Sequence, residues 1–289
     1  FCPSSLAVGI GGMFRPYLDY TVVADDNILR IRDGIDARTL LGTSKLSDIS
    51  QSFVGGVIFE KEISRQRLSA NVNYGQTKFV RFNQIDSSNR DLRGNWNWFL
   101  GNNFSGNLGV SNVRALAPFT FFPGVRNLQT TQTEYFNIAW HFHPRWHLSG
   151  DYTHFDINSD TDISSLGFLS RTENRFKIGL DYITPNESSI GIQLSTIRGD
   201  FPKPLLAPDG TFSDDNSFDQ NEVKAHIKWI VTGKSQLHFL GGWIERKNAS
   251  FTSRNFSGFN ARLIYSWQPT GKIGLTLNGW RENAPVQSL

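Results

Sequence analysis

Charged side chains recur at every second position of several short segments, and this spacing is the first chemistry the sequence offers. Arg93, then Arg175, Lys177 and Asp181, then Lys224, His226 and Lys228, and then Arg262 all fall on the polar side of alternating stretches. Asp151 does the same in a stretch of its own. Residues two apart point the same way from an extended strand, so each stretch presents one wet surface. Six of these groups are basic (Arg93, Arg175, Lys177, Lys224, Lys228, Arg262) and two are acidic (Asp151, Asp181), among many Asn, Ser, Thr and Gln. Such a surface hydrogen-bonds hydroxyls. If it lines a low-dielectric wall, its charges also bias it towards anions. The alternative is that the charges pair with neighbours across the strands and stiffen the wall.

Three further constellations could carry other chemistry. Asp156-Ile157-Asn158-Ser159-Asp160-Thr161-Asp162 puts side-chain oxygens at alternate positions, as a calcium loop does. It lacks the glycine at the sixth position, however, and the twelfth position is Gly167, so a solvated loop is the competing reading. His141, His143 and His147 surround a turn, but a zinc site would need a full ligand set and supporting partners. Serine and histidine are both present without a nucleophile elbow or other catalytic signature, so the expectation is no enzyme, no cofactor and no resident metal. Asp25-Asp26-Asn27 reads as a turn closing the first strand.

The elements that position these groups are strands. Leu68–Tyr74, Leu92–Trp98, Phe176–Tyr182, Val223–Trp229 and Phe259–Trp267 each alternate apolar with small or polar residues, with Ile264 interrupting one polar side. Short tight connections lie near 63–66, 101–103, 143–145, 184–187, 232–234 and 268–271. They alternate with longer polar stretches near 82–91, 117–127, 157–171, 199–220 and 247–257, of which only 200–221 looks long enough to form a lid or plug. Successive short turns are about 40 residues apart, which is one hairpin of long strands plus one long loop, the asymmetry of outer-membrane barrels.

Large aromatics recur at the last positions before the short turns. Trp98, Trp140 with Phe142, Tyr182, Trp229 and Trp267 form the set, and Phe104 and Trp146 restart the chain beyond two of the turns. Rings held at one depth make an interfacial girdle. A looser second set (Phe79, Phe82, Phe119, Tyr152, Phe155, Trp243, Trp280) lies near the long loops. A soluble all-β core would scatter the rings along the strands.

Composition is consistent with this. Only 38% of residues are hydrophobic, yet 13% are aromatic. A barrel with a wet interior needs only half of each strand to be apolar. The stretch Leu6–Met13 is far shorter than the roughly 18 apolar residues of a spanning helix, and resembles the stub of a leader without its basic start. The single cysteine, Cys2, has no internal disulfide partner, and a net charge of +3 is no nucleic-acid signature.

The expected fold is therefore all-β: residues 1–289 form a single transmembrane antiparallel up-and-down β-barrel domain in the bacterial outer membrane. About thirteen strands can be counted, and barrels of this kind close with an even number. The polar tail from Arg281 to Leu289 lacks a closing aromatic. The chain thus reads as part of a barrel of roughly 16–18 strands that lacks its last strands.

Several segments resemble one family. They are Tyr17-Leu18-Asp19-Tyr20 with Asp25-Asp26-Asn27-Ile28-Leu29-Arg30, the run Gly94–Gly106 (GNWNWFLGNNFSG), His143-Pro144-Arg145-Trp146, and Arg262 with Trp267-Gln268-Pro269-Thr270-Gly271. These resemble the outer-membrane barrel porins encoded with exopolysaccharide biosynthesis genes, in the subgroup that accompanies the exosortase B system. The resemblance implies a barrel that assists export of a secreted polysaccharide, acidic glycans included. Its partners would be the lipid bilayer and periplasmic export machinery. Family members typically continue beyond where this chain stops, and the family brings no catalytic residues. A general diffusion porin, a surface-binding or adhesive barrel and a barrel enzyme remain the alternatives.

Overall fold

The computed structural model describes residues 4–7, 12–32, 34–36, 38, 42–120, 124–161, 170–202, 215–250 and 252–282, with the backbone only at 4–7 and 161. The alternating segments form strands. In chain order they are β1 (Ser4–Ala7), β2 (Phe14–Asp25), β3 (Asp48–Ile63), β4 (Gln66–Phe79), β5 (Ser87–Leu100), β6 (Phe104–Leu116) and β7 (Asn127–His143). Then follow β8 (Trp146–Thr161), β9 (Arg171–Ile183), β10 (Ser189–Asp200), β11 (Phe218–Thr232), β12 (Ser235–Asn248), β13 (Phe256–Thr270) and β14 (Ile273–Arg281). Each strand pairs with its sequence neighbours in the single order β1 to β14. The fold is the expected all-β, antiparallel up-and-down sheet, and the thirteen expected strands are β2–β14.

Several boundaries differ from expectation. Residues 87–90, 157–161, 171–173 and 218–220 belong to β5, β8, β9 and β11, because extended polar residues prolong the strands beyond their apolar alternation. Strands of up to 17 residues therefore exceed the roughly 9–11 that a bilayer requires. Leu6 and Ala7, read as part of a leader stub, lie in β1, with Leu6 opposite Leu18 of β2; residues 8–11 fall outside the described set, as do 283–289 of the tail.

The alternation of connections is as the sequence indicated. Short links at 64–65, 101–103, 144–145, 184–188, 233–234 and 271–272 alternate with 80–86, 117–126, 162–170, 201–217 and 249–255. Positive φ at Ser64, Gly101 and Glu187 tightens three of the short links. One long connection was missed: residues 26–47 join β2 to β3 and outnumber the 201–217 connection, of which 203–214 lie outside the described residues. Asp25-Asp26-Asn27 closes β2 in a turn, as expected, with the Asn27 N–H donating to Asp25 Oδ1 at 2.9 Å, and that turn opens the long segment.

By contact density the chain divides into two units, 1–97 with 109–134 and 155–171, and 98–108 with 135–154 and 172–289. In the first, register fixes two faces. Phe14, Leu18 and Tyr20 of β2, Phe53 and Val57 of β3, Val72 and Tyr74 of β4, and Leu92 and Trp96 of β5 share one face and are all exposed. Arg15, Tyr17 and Asp19, Glu60 and Glu62, Asn71 and Asn73, and Asp91 and Arg93 share the other. Tyr17 lies across Gly56, where a side chain would collide with its ring, and its hydroxyl meets Asn71 Oδ1 at 3.3 Å and Asn73 Nδ2 at 3.0 Å.

The first unit's hydrophobic core is not between sheets but at the long-loop end. Leu29, Ile31, Phe79, Phe82, Ile85 and Phe119 cluster there, against Ile28, Leu46 and Leu116. The buried carboxylate of Asp48 accepts backbone N–H bonds from Ile49 (2.7 Å), Arg81 (3.0 Å) and Phe82 (2.9 Å). Asp86 accepts from the Phe79 N–H at 2.8 Å and pairs with Lys78 at 3.0 Å. Asn27 closes residues 27–31 by donating to the Ile31 carbonyl and accepting from the Ile31 N–H, and Arg30 forks onto Asp25. Three of the aromatics assigned from sequence to a second girdle, Phe79, Phe82 and Phe119, thus belong to a folded cap. Asp48 and Phe79 occupy polar-face positions in register, so the cap rests on the polar side.

Candidate functional site: the polar face

The second unit shows the same two-faced construction. On its apolar face Val223 and Trp229 of β11, Trp243 of β12, and Phe259, Leu263 and Trp267 of β13 are all exposed. Trp229 aligns with Leu237 and Tyr265, one pair of residues from the row of Trp267. Trp140 stacks on Phe104 at 5.8 Å, Trp98 on Phe136 at 6.2 Å, and Trp146 tilts against Tyr182 at 5.1 Å. Trp98, Trp140, Tyr182, Trp229 and Trp267 lie within the last few residues before short turns, Phe104 and Trp146 lie just after two of them, and Phe136 lies within β7. Of the second set, Tyr152 and Trp243 are exposed, whereas Phe155 lies beneath the Arg171 guanidinium in the first unit and Trp280 faces Arg262 on the polar side.

An exposed apolar face of this extent, repeated strand after strand, is costly in water. Monomeric soluble proteins rarely show contiguous apolar patches beyond a few hundred Å². Transfer into hydrocarbon returns about 1.5–3 kcal/mol for each large aliphatic or aromatic side chain.

The polar-face charges singled out from the sequence acquire partners. Arg93 bonds Asp91 at 2.7 Å, Lys177 meets Asp151 at 3.3 Å, and Lys224 meets Glu222 at 2.7 Å. Arg262 meets Glu282 at 2.8 Å, and His226 bonds Asp181. The last pair spans β11 and β9 directly over Gly191 of β10, where an added Cβ would strike both side chains. Glu222 also accepts from Ser195 at 3.1 Å and is bonded by Gln220, closing a network across two strands. Among the described residues Arg175 and Lys228 have no carboxylate partner.

The six-to-two excess of base over acid is thereby corrected to near balance. Asp91, Glu222 and Glu282 were missed, although two of them carried a readable signal: Asp91-Leu92-Arg93 and Glu222-Val223-Lys224 place acid and base on one strand face two residues apart. The side chains of Lys224 and Glu222 are only 16% and 11% exposed, so this pair is a structural tie more than a free charge. Ile264 does interrupt the polar face, joined there by Leu240 and Ile244.

The metal-binding alternatives lose their geometry. Residues 156–161 continue strand β8, so the oxygens of Asp156, Asn158 and Asp160 run along a strand rather than converging as in a calcium loop; Asp162 and Gly167 lie outside the described residues. Asp160 instead approaches Arg114 at 3.7 Å. His141 and His147 lie tilted against each other with centroids 4.0 Å apart, while His143 Nδ1 accepts the Arg145 N–H at 3.1 Å. Among the described residues no group of three or more metal-ligating side chains converges.

No family model matches the sequence, and no curated protein matches it. Among solved structures the chain is similar to the ferric-catecholate import receptor Fiu from E. coli K12 in its closed form, at 12% identity and a TM-score of 0.46, covering 96% of this chain and 63% of that one. It is also similar to the FrpB iron transporter of Neisseria meningitidis, F5-1 variant, at 11% identity and a TM-score of 0.48, covering 96% and 59%. The NanC porin is similar at 10% identity and a TM-score of 0.38, covering 75% and 93%. The chain thus spans less than two thirds of the length of either receptor.

Proposed function

We propose that residues 1–289 form one domain of a transmembrane up-and-down barrel in the bacterial outer membrane, whose polar face lines a pore that assists export of a secreted exopolysaccharide. The observation that carries this reading is the uncovered apolar face, flanked at the short-turn end by Trp140, Trp229 and Trp267. The strand lengths and the alternation of short and long connections fit the same reading, with short turns at the periplasm and long loops outside. No helix among the described residues is long and apolar enough to cross a membrane.

The cargo follows from the resemblance and from the character of the lining. Amides and hydroxyls such as Asn71, Asn73, Gln193 and Ser195, interspersed with paired charges, match a hydrated polymer of hydroxyls better than an apolar solute. The near balance of charge also favours a second reading, a general diffusion porin that passes small solutes of either sign.

Reconstitution into planar bilayers with conductance recording tests the pore, and addition of polysaccharide fragments to one side tests the cargo. Discrete conductance steps, interrupted by the polymer and not by monosaccharide, are expected. Steps indifferent to the polymer would support the diffusion porin, and failure to insert would refute the membrane reading.

A further inference from the structure

The polar face of the first unit carries an aromatic ring that neither the cap nor the apolar face uses. In the register-paired part of β2–β5, Phe79 belongs to the cap, and Tyr17 is the one other aromatic side chain on this face. Its ring does not stand upright. The Cζ, Oη and Cε1 atoms lie 2.5–2.7 Å from where a Cβ on Gly56 would stand, so the ring leans over β3 through the gap that this glycine leaves. The hydroxyl reaches β4, donating to Asn71 Oδ1 at 3.3 Å and accepting from Asn73 Nδ2 at 3.0 Å. Both ends of the side chain are thereby held, and the half-buried ring keeps a surface towards the polar side.

Gly56 is flanked on the same face of β3 by Val54 and Ile58, both half-buried. Ring and aliphatic groups make an apolar strip in a wall that is otherwise polar. The groups beside it have hydrogen bonds to spare. Asn71 Nδ2 and Asn73 Oδ1 bond nothing among the described residues, which leaves one donor and one acceptor side by side on β4. Asp91 and Arg93 of β5 face the same two rows and pair at 2.7 Å through Oδ1 and Nε, with the outer guanidinium nitrogens beyond that contact. From β2 to β5 the strip, the amides and the pair span roughly 14 Å at ordinary strand spacing.

We propose that this is a saccharide-binding site for uncharged pyranose units of a glycan chain. The inference rests on the reading of the polar face as a pore lining and names the class of sugar that lining takes. A pyranose has a face of C–H groups and a rim of hydroxyls, each able to donate and accept. The C–H face stacks on Tyr17, Val54 and Ile58, and neighbouring hydroxyls bridge to Asn71 Nδ2 and Asn73 Oδ1. The next sugar along meets Asp91 and Arg93. A few fixed polar groups around an apolar floor is the ordinary construction of a small-molecule site. Charge decides against an acidic sugar. Arg15 is matched by Glu60 at 2.7 Å and Arg93 by Asp91, while Asp19, in the row next to Tyr17, has no basic partner among the described residues. A sugar carboxylate would therefore meet no unmatched cation and one unmatched anion.

The test is binding to the full chain, folded in a detergent without a sugar headgroup, by titration and saturation-transfer NMR. Cellohexaose and mannohexaose serve as neutral probes and hexagalacturonate as the acidic one. At least one neutral hexamer should bind, with transfer strongest at its ring C–H protons, and hexagalacturonate should bind more weakly. Tyr17→Ala should weaken the neutral hexamer on the order of ten-fold, whereas Tyr17→Phe, which keeps the ring, should cost less than about three-fold. Val57→Ala on the apolar face should change nothing. If Tyr17→Ala does not fold, Asn73→Ala is read in its place and should weaken binding about five-fold. Binding of neither neutral hexamer, binding of hexagalacturonate as tight or tighter, or affinity unchanged in the variant that folds overturns the site. Bilayer recordings separate this inference from the pore. Binding that depends on Tyr17 without any conductance refutes the pore and leaves the site standing. Conductance that the hexamer blocks equally in Tyr17→Ala keeps the pore and overturns the site.

Discussion

The cap at the long-loop end should open independently of the sheet, and Leu29→Ala measures that most cleanly. Leu29 is 1% exposed and packs among Ile31, Phe82 and Phe119, all contributed by connecting segments rather than by strands. The substitution removes three carbon groups at about 0.8 kcal/mol each and leaves a cavity, for a total of about 3 kcal/mol. At about 1.4 kcal/mol per factor of ten, the opened population of residues 26–47 rises roughly 100-fold. Trypsin has Arg30, Arg32 and Lys45 within reach once the segment opens. Cleavage follows the opened population when reclosing outpaces proteolysis. Limited trypsin digestion of the membrane-inserted protein should therefore speed up roughly 100-fold at these sites, while the thermal unfolding of the sheet stays unchanged. The exposed Val80→Ala should change cleavage by less than about two-fold. If Leu29→Ala is cut at the original rate, or sheet unfolding falls in step with cleavage, the cap is not a separate folded unit.

Other outcomes follow from the same contacts. Arg175→Gln with Lys228→Gln should move selectivity towards cations more than Lys177→Gln with Lys224→Gln does, because only the first two lack carboxylate partners among the described residues; equal shifts in the two double variants, read as reversal potentials, would contradict this. The Asp86 carboxyl sits below the usual aspartate range: burial pushes it up, but the Phe79 N–H and the Lys78 ammonium outweigh that. Its contribution is thus complete above the ordinary aspartate value near ~4 and is lost as pH falls through the depressed one. Hydrogen exchange at the Phe79 amide should lose protection between those values, and Asp86→Asn should remove that pH dependence. Cysteines placed at Val80 and Ser250 should label on intact cells with an impermeant reagent, whereas cysteines at Arg145 and Lys234 should not; the reverse pattern would invert the topology.

Much of the fold was legible because the sheet is built from strictly local signals. Period-two alternation in Val223–Trp229 fixed both faces of β11, and glycine, proline and asparagine at the short turns fixed where each hairpin folds back. What escaped depends on contacts distant in sequence. Phe79, Phe82 and Phe119 look like girdle aromatics until Leu29 and Ile31 arrive from the β2–β3 connection to bury them. Periodicity cannot show this, because a loop core has no period. The charge balance failed for a different reason: the alternating window was opened at Val223 and Leu92, one residue after Glu222 and Asp91, so the acids that neutralise Lys224 and Arg93 were left out. The His226–Asp181 bond needed the register through β10, which sequence alone does not provide.

The central claim is that the apolar face meets lipid and the polar face meets water, and a nitroxide scan along β11 in reconstituted membranes tests it directly. Labels at Val223, Ala225, Ile227 and Trp229 should collide mainly with oxygen, which partitions into lipid. Labels at Glu222, Lys224, His226 and Lys228 should collide mainly with a water-soluble nickel complex. The two accessibilities should alternate out of phase with period two over the whole segment. Equal access at neighbouring positions, or nickel access at Val223 and Ile227, would mean that this face does not lie in a membrane.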